Sequence, residues 1–304
     1  MGTPQFAIKV LDEINKSRHE IVAVVTQPDK INGRKNKVTF SPVKSYALEN
    51  GLNVLQFDNI SKDGEKTIKS LLPDIMVTCA YGQILRQNIL DICPIFNVHA
   101  SLLPKYRGSS PVQWALINGE EKVGVTIMKT ELGVDTGDMI LQESIQLVGD
   151  ENSDETLEKL SLIGAKLIVK ALDEFENGSI RYIKQRESEA THCRMLKKED
   201  GKIDFSLSAE KVKNFIRGVT PWPGATTKTE QFGALKVLKA EVCSGSGGEK
   251  EGEVVLADPK KGFVVRCGEG YLRLVLVQGE NAKAMDAKSY LLGHKVRVGS
   301  VMGE

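Results

Sequence analysis

The chain has 304 residues, 41% hydrophobic and 27% charged, with 41 Lys+Arg against 40 Asp+Glu and a formal net charge of +1. These proportions belong to folded soluble proteins and exclude disordered or fibrous chains, and the length suits two domains. The even charge gives no sign of a nucleic-acid or membrane partner, and no apolar run approaches the roughly 20 residues of a membrane span.

Thr3-Pro4 opens a predicted helix over residues 3–17, with Ala7, Val10, Leu11 and Ile14 at helical spacing. Residues 21–26 form a short apolar run, as expected of a strand buried on both faces. A polar, basic stretch over 27–40 follows; then Ser41-Pro42 starts a helix that stops near Gly51. Val54-Leu55 reads as a short strand, residues 65–72 as a helix and 75–80 as another buried strand. Strands alternating with helices predict a mostly parallel α/β sheet with right-handed crossovers. The pattern continues with a strand ending at 96–99, a helix over 111–118, β-rich segments at 123–130 and 139–147, and a long helix over 153–177 closed by Gly178. Residues 180–202 lose this periodicity, become charged and read as a linker. A short helix at 209–217 then leads through Pro221-Trp-Pro-Gly224 into glycine-bounded runs at 235–242, 253–257, 263–267 and 271–277. That spacing suggests a small β-barrel or sandwich.

The five cysteines, Cys79, Cys93, Cys193, Cys243 and Cys267, include no C-x-x-C pair. This fits reduced thiols in a cytoplasmic protein and argues against a disulfide scaffold or structural zinc. Histidines dispersed at 19, 99, 192 and 294 argue against a metal site altogether.

Three polar residues fall where a parallel sheet exposes its carboxyl edge, the usual ligand crevice of open α/β sheets. Asn97 and His99 end a buried strand two residues apart, so they share a face. Asp135 lies in the glycine-bounded loop Gly133-Val-Asp-Thr-Gly137. Together they would supply an amide donor for an oxyanion, an imidazole, and a carboxylate to orient it, the parts of an acyl-transfer site. Spacing alone fits a hydrogen-bonded core histidine and a turn aspartate somewhat better. Ser101-Leu-Leu-Pro104 adds an apolar wall suited to a flat ligand, or a buried connection.

Asn97-Val-His-Ala-Ser-Leu-Leu-Pro-Lys-Tyr-Arg-Gly108, with Asp135-Thr-Gly-Asp138 downstream, resembles the 10-formyltetrahydrofolate-dependent formyltransferases. Gly2-Thr-Pro-Gln-Phe6, Thr26-Gln-Pro-Asp29, the insertion Asn32-Gly-Arg-Lys-Asn-Lys37 and Ala80-Tyr-Gly-Gln83 look like the branch of that family whose acceptor is methionyl-initiator tRNA. The resemblance implies a Rossmann-like catalytic domain over 1–183, a linker over 184–202 and an OB-like, tRNA-binding β-barrel over 203–304. It implies that the methionyl amine attacks the formyl carbon, that Asn97 and His99 stabilise the resulting oxyanion, and that Asp135 holds His99 and helps take the amine proton. Ser101, Leu102, Leu103 and Pro104 would line the folate site, with Tyr81, Gln83 and Leu85 beside the pterin. Lys30, Arg34, Lys35 and Lys37, with Lys44 beside them, would meet the tRNA acceptor end, although a charge run is also an ordinary solvated face. The implied protein is a cytoplasmic monomer that needs no metal. An amino sugar-nucleotide formyltransferase would share the site but lack the basic insertion; a non-catalytic RNA-binding protein of the same fold is the other alternative.

Chains of this family begin with an apolar strand before the Gly-Thr-Pro turn, whereas here Met1 precedes that turn directly. The expectation is a truncated start and a vacancy in the sheet between the strands holding Val24 and Val77.

Overall fold

The first helix, Phe6–Lys16, buries Ala7, Val10 and Ile14, the positions its periodicity marks. The computed structural model describes residues 1–32, 37–229, 233–248 and 250–303, which divide into two compact units. The first comprises Met1–Gly108, Lys122–Ile145 and Leu157–Cys193; the second comprises Ser109–Glu121, Gln146–Thr156 and Arg194–Glu304.

In the first unit, Val24–Thr26 pairs in parallel with Val54–Gln56, and Met76–Thr78 pairs in parallel with Ile95–His99. Ile95–His99 runs antiparallel to Lys122–Lys129, and Met139–Gln146 completes a four-stranded sheet. This is the parallel-rich α/β sheet expected, with helix Pro42–Glu49 capped by the Ser41 hydroxyl, which accepts from Lys44 N. The long helix Ser153–Glu176 lies against the sheet at Gly164, where an added Cβ would come 2.8 Å from Val98 Cγ1. Phe96 and Phe175 meet edge to face with ring centroids 5.7 Å apart.

Among the described residues, no ladder joins Val24–Thr26 to Met76–Thr78. The two are bridged only at one end: Gly2 N donates to Val25 O at 3.0 Å, Cys79 N to Met1 O at 2.9 Å and Met1 N to Val77 O at 2.7 Å. Beside these contacts lies a small cavity lined by Met1, Ala7, Val10, Val24, Val43 and Val77.

The basic stretch after Thr26 forms an antiparallel pair, Lys30–Asn32 with Lys37–Thr39. Lys30 is exposed. Arg34 and Lys35 lie outside the described residues, as does the side chain of Lys37. Lys44 departs from the sequence reading. Its ammonium is held by Asp29 Oδ2 at 2.6 Å and Gln56 Oε1 at 2.8 Å, so this charge ties helix to strand and is withdrawn from solvent.

The segment read as a linker also differs in its first half. Ile183 and Met139 exchange backbone hydrogen bonds at 2.8 Å, and His192–Cys193 pairs in parallel with Arg107–Gly108. Such pairing between distant segments leaves no apolar period in the sequence, which is why these residues looked structureless.

In the second unit, Ala225–Thr229, Gly233–Cys243, Tyr271–Gly279, Gly262–Arg266 and Val254–Asp258 are neighbours in that order in one antiparallel sheet, and Met285–Asp286 adds to Tyr271–Gly279. Register shifts between Val237 and Ala240 mark an irregularity in the longest strand. Phe205, Val212, Leu235, Val237, Phe263 and Leu274 belong to its core. Helix Ala209–Val219 crosses Pro111–Ile117 closely at Gly218, where a Cβ would meet Ile117 Cγ1 at 2.6 Å.

Candidate active site

Strand Ile95–His99 carries Asn97 and His99 at alternate positions, so its pleat presents both at one end of the sheet, as the sequence required. His99 is 6% exposed. Its Nε2 lies 3.0 Å from Tyr106 O. A backbone carbonyl only accepts, so Nε2 carries the proton and Nδ1 is the ring atom left for chemistry. Nδ1 faces Asp135 Oδ2 at 3.6 Å.

Asp135 sits in the loop between strands Lys122–Lys129 and Met139–Gln146 with φ +52°. This left-handed conformation is uncommon for a residue with a side chain. Its carboxylate is held from both sides: Gly108 N donates to Oδ2 at 2.8 Å, and Asn97 Nδ2 to Oδ1 at 3.3 Å. The Thr78 hydroxyl donates to Asn97 Oδ1 at 3.0 Å, which orients the amide so that its NH2 faces Asp135. The structure thus brings Asn97, His99 and Asp135 together. It adds three partners the sequence reading did not single out: the Thr78 side chain, Tyr106 O and Gly108 N. Thr78 was legible in principle, because it is the carboxyl-terminal residue of the neighbouring parallel strand and pairs with Asn97. The two backbone atoms leave no side-chain signature.

Cys193 closes the rear of this cluster, its Sγ 3.4 Å from Tyr106 O and from Arg107 O. Burial, reinforced by the Asp135 charge, pushes its thiol up to about 12. A thiol held in its protonated form in this way is poorly suited to act as a nucleophile.

The expected folate-lining residues divide into two groups. The Ser101 hydroxyl donates to Lys105 O at 2.7 Å, and Leu103 N donates to the Thr126 hydroxyl at 3.2 Å. Both residues are buried, while Leu102 and Pro104 are half-buried. Tyr81 and Leu85 turn their side chains into the core with Ile60, Ile68 and Ile89. Burial pushes the Tyr81 phenol up to about 12, and its hydroxyl finds no partner among the described residues. Gln83 is spent on structure, accepting from Ile60 N at 2.8 Å and donating to Phe57 O at 2.9 Å. What this segment offers a ligand is therefore backbone, at Gly82 with φ +88° and at the exposed Ile84.

Among the described residues, His19, Asp173 and Glu176 bring together ligand atoms that could hold a cation. Arg18 already occupies both carboxylates, with Nε 2.9 Å from Asp173 Oδ1 and Nη2 2.7 Å from Glu176 Oε2. Those groups make an ion-pair cluster and do not form part of the Asn97–His99–Asp135 constellation.

Residues 1–172 match the formyl transferase family and residues 195–295 the formyl transferase C-terminal domain. The methionyl-tRNA formyltransferase of Caldanaerobacter subterraneus subsp. tengcongensis is 41% identical over 99% of this chain and 98% of its own length. That of Agathobacter rectalis is 42% identical over 99% and 97%. In fold, the chain is similar to an N-formyltransferase from Helicobacter canadensis solved with folinic acid and dTDP-3-aminofucose, with a TM-score of 0.65 and 18% identity over 93% of this chain and 97% of that one.

Proposed function

The chain belongs to the formyl transferase family, and from that premise we propose that Asn97, His99 and Asp135 are the groups that carry its reaction. The reaction is transfer of a formyl group from 10-formyltetrahydrofolate to the α-amine of methionyl-initiator tRNA. The observation that carries the proposal is the convergence of the three side chains at one sheet end, with Asp135 Oδ2 3.6 Å from His99 Nδ1 and Asp135 Oδ1 3.3 Å from Asn97 Nδ2.

The amine attacks the formyl carbon, and the formyl oxygen becomes negative. Asn97 meets this charge with the second N–H of its amide, the first being donated to Asp135 Oδ1 while the Thr78 hydroxyl engages the amide oxygen. The amine must also lose a proton. The Asp135 carboxylate and His99 Nδ1 receive it, and a proton placed on Nδ1 lies against the carboxylate that faces it. The same pair returns a proton to N10 of the folate as the C–N10 bond breaks. Because Nε2 is tied to Tyr106 O, His99 serves through Nδ1 alone. This refines the expectation that His99 donates directly to the oxyanion. A single oxyanion donor of this kind lowers the barrier by roughly 3–4 kcal/mol.

The folate pterin is met by the backbone around Gly82 and Ile84, beside the half-buried Leu102 and Pro104. Lys30, Arg34, Lys35 and Lys37 meet the acceptor end of the tRNA, a reading supported by their clustering in the basic stretch that follows Thr26. The domain order is a catalytic part to about residue 183 and a tRNA-binding part from about 203. Among the described residues no helix is long and apolar enough to cross a membrane. A cytoplasmic monomer is the matching assignment for an enzyme of translation initiation.

The test is formyl transfer from 10-formyltetrahydrofolate by the full chain, offered methionyl-tRNA and an amino sugar-nucleotide in parallel. Transfer to methionyl-tRNA, lowered roughly 10²–10³-fold by Asn97→Ala and abolished by His99→Ala, is the expected result. Transfer to the sugar alone would overturn the acceptor, and unchanged rates in both variants would overturn the site.

A further inference from the structure

The loop that presents Asp135 has little packing of its own. Leu132 and Val134 are 64% and 61% exposed, and Asp135 stands in the left-handed region. A strained backbone of this kind persists only where its surroundings over-determine it. The carboxylate contacts described above hold the tip of the side chain, but something must also hold the main chain.

That contact comes from Gln185. Its Nε2 donates to Asp135 O at 2.8 Å and to Gly137 O at 2.7 Å, so one amide spans the turn. An amide can face either way, and the choice is fixed by Arg107, whose Nε donates to Gln185 Oε1 at 3.0 Å. Arg107 is 1% exposed. Its guanidinium is anchored in turn on Glu187, with Nη1 3.0 Å from Oε1 and Nη2 2.9 Å from Oε2. A bidentate pair of this geometry is the stiff form of an arginine–carboxylate contact. The chain of bonds runs from Glu187 through Arg107 and Gln185 to the backbone on either side of Thr136. The flanking residues of Arg107 serve the same cluster, since Tyr106 O accepts from His99 Nε2 and Gly108 N donates to Asp135 Oδ2.

We propose that Gln185, aimed by Arg107 and Glu187, is a positioning residue that sets the Asp135 loop and through it the rate of formyl transfer. The inference rests on the reading of Asp135 as part of the reacting centre. The contacts it controls lie at 3.3 and 3.6 Å, so a displacement of about 1 Å would separate Asp135 from both Asn97 and His99. Misplacements of that size typically cost about 10²-fold in rate.

The discriminating variant is Gln185→Glu. It keeps the size and the bond to Arg107 but sets an oxygen against two carbonyl oxygens. Gln185→Met, of similar length and without hydrogen bonds, guards against an effect peculiar to the new charge. Each is made in the full chain, alone and with Asp135→Asn. Single-turnover and steady-state formyl transfer, folate binding and thermal unfolding are then measured. Both Gln185 variants should lower kcat roughly 10–100-fold, with KM for methionyl-tRNA and folate affinity within about threefold. In the Asp135→Asn background the further loss should be under about threefold, because the residue acts through Asp135. Unchanged kcat in both variants, or a full additional loss on top of Asp135→Asn, would overturn the proposal. If Asp135→Asn alone keeps full activity, the catalytic reading of Asp135 falls and this inference with it. An inactive Asp135→Asn beside active Gln185 variants would sink only the positioning role.

Discussion

Gly108 is the residue at which a constrained backbone and the proposed reacting centre meet most tightly. Its φ of +108° is strained for any residue with a side chain, and an added Cβ would fall well under 3.0 Å from Cys193 O, a backbone atom that cannot rotate aside. Gly108→Ala must therefore open the pairing of Arg107–Gly108 with His192–Cys193, and must move the N–H that donates to Asp135 Oδ2. The positive φ costs about 1–2 kcal/mol, and loss of a ladder hydrogen bond adds about 1 kcal/mol. At roughly 2–4 °C per kcal/mol for a chain of this size class, the apparent Tm should fall by about 5–10 °C. The hydrogen bond to a charged carboxylate is worth about 1.5–3 kcal/mol, so kcat should fall roughly 10–100-fold. Gly178→Ala is the matched control, with φ +71° and no atom within 4 Å of the new Cβ. It should lower the apparent Tm by about 2–8 °C, the positive-φ cost alone, and leave kcat unchanged. Differential scanning calorimetry and the formyl-transfer assay report both quantities. A Gly108→Ala enzyme with wild-type melting and kcat would refute the reasoning, and equal activity losses in the two variants would show that the site contact is irrelevant.

Thr78→Val removes the hydroxyl that orients Asn97 while keeping the branched shape, and should lower kcat about fivefold with little change in KM, since one net hydrogen bond is worth about 1 kcal/mol. Steady-state kinetics would show it, and a change confined to KM would contradict an orienting role. Asp200 accepts from Arg194 at 2.6 and 2.7 Å and from Lys197 N at 2.7 Å, and these partners hold its carboxyl down to about 2 from the usual 3.8. Its contribution to stability should be complete above about pH 4 and be lost as pH falls through 2, so urea unfolding curves of the native enzyme and Asp200→Asn should converge toward pH 2. Burial pushes the thiols of Cys79, Cys193 and Cys267 up to about 12, so iodoacetamide at pH 8 should leave them unlabelled in the native chain and label all five cysteines once it is unfolded, as mass spectrometry would read. Arg34→Ala should raise KM for methionyl-tRNA several-fold without altering folate affinity, and transfer should weaken steeply with added salt; a flat salt profile would count against phosphate contacts by the insertion.

The sequence by itself determined the alternation of buried strands and helices, the strand-rich second unit, and the pairing of Asn97 with His99 on one face. Each follows from local periodicity, which reports which side of an element is apolar. It also carried the motif around residues 97–108 and the Asp135 loop, because glycines with special φ and polar residues at strand ends are visible one at a time. The tertiary structure decided the rest. Strand Ala225–Thr229 was not anticipated because its run of threonines and a lysine lacks an apolar stripe, yet Ala225 and Thr227 are buried by pairing with Gly233–Cys243. Lys44 stands in a basic stretch, and only its contact with Asp29 and Gln56 shows that the charge is spent inside the fold. Gln185 and Glu187 lie in a charged segment without period, and their bearing on Asp135 exists only through Arg107, some 80 positions away. Apolar burial is non-directional and leaves a repeating trace along the chain. A hydrogen bond joins two particular atoms wherever the fold brings them, and nothing in the local spacing records the partner.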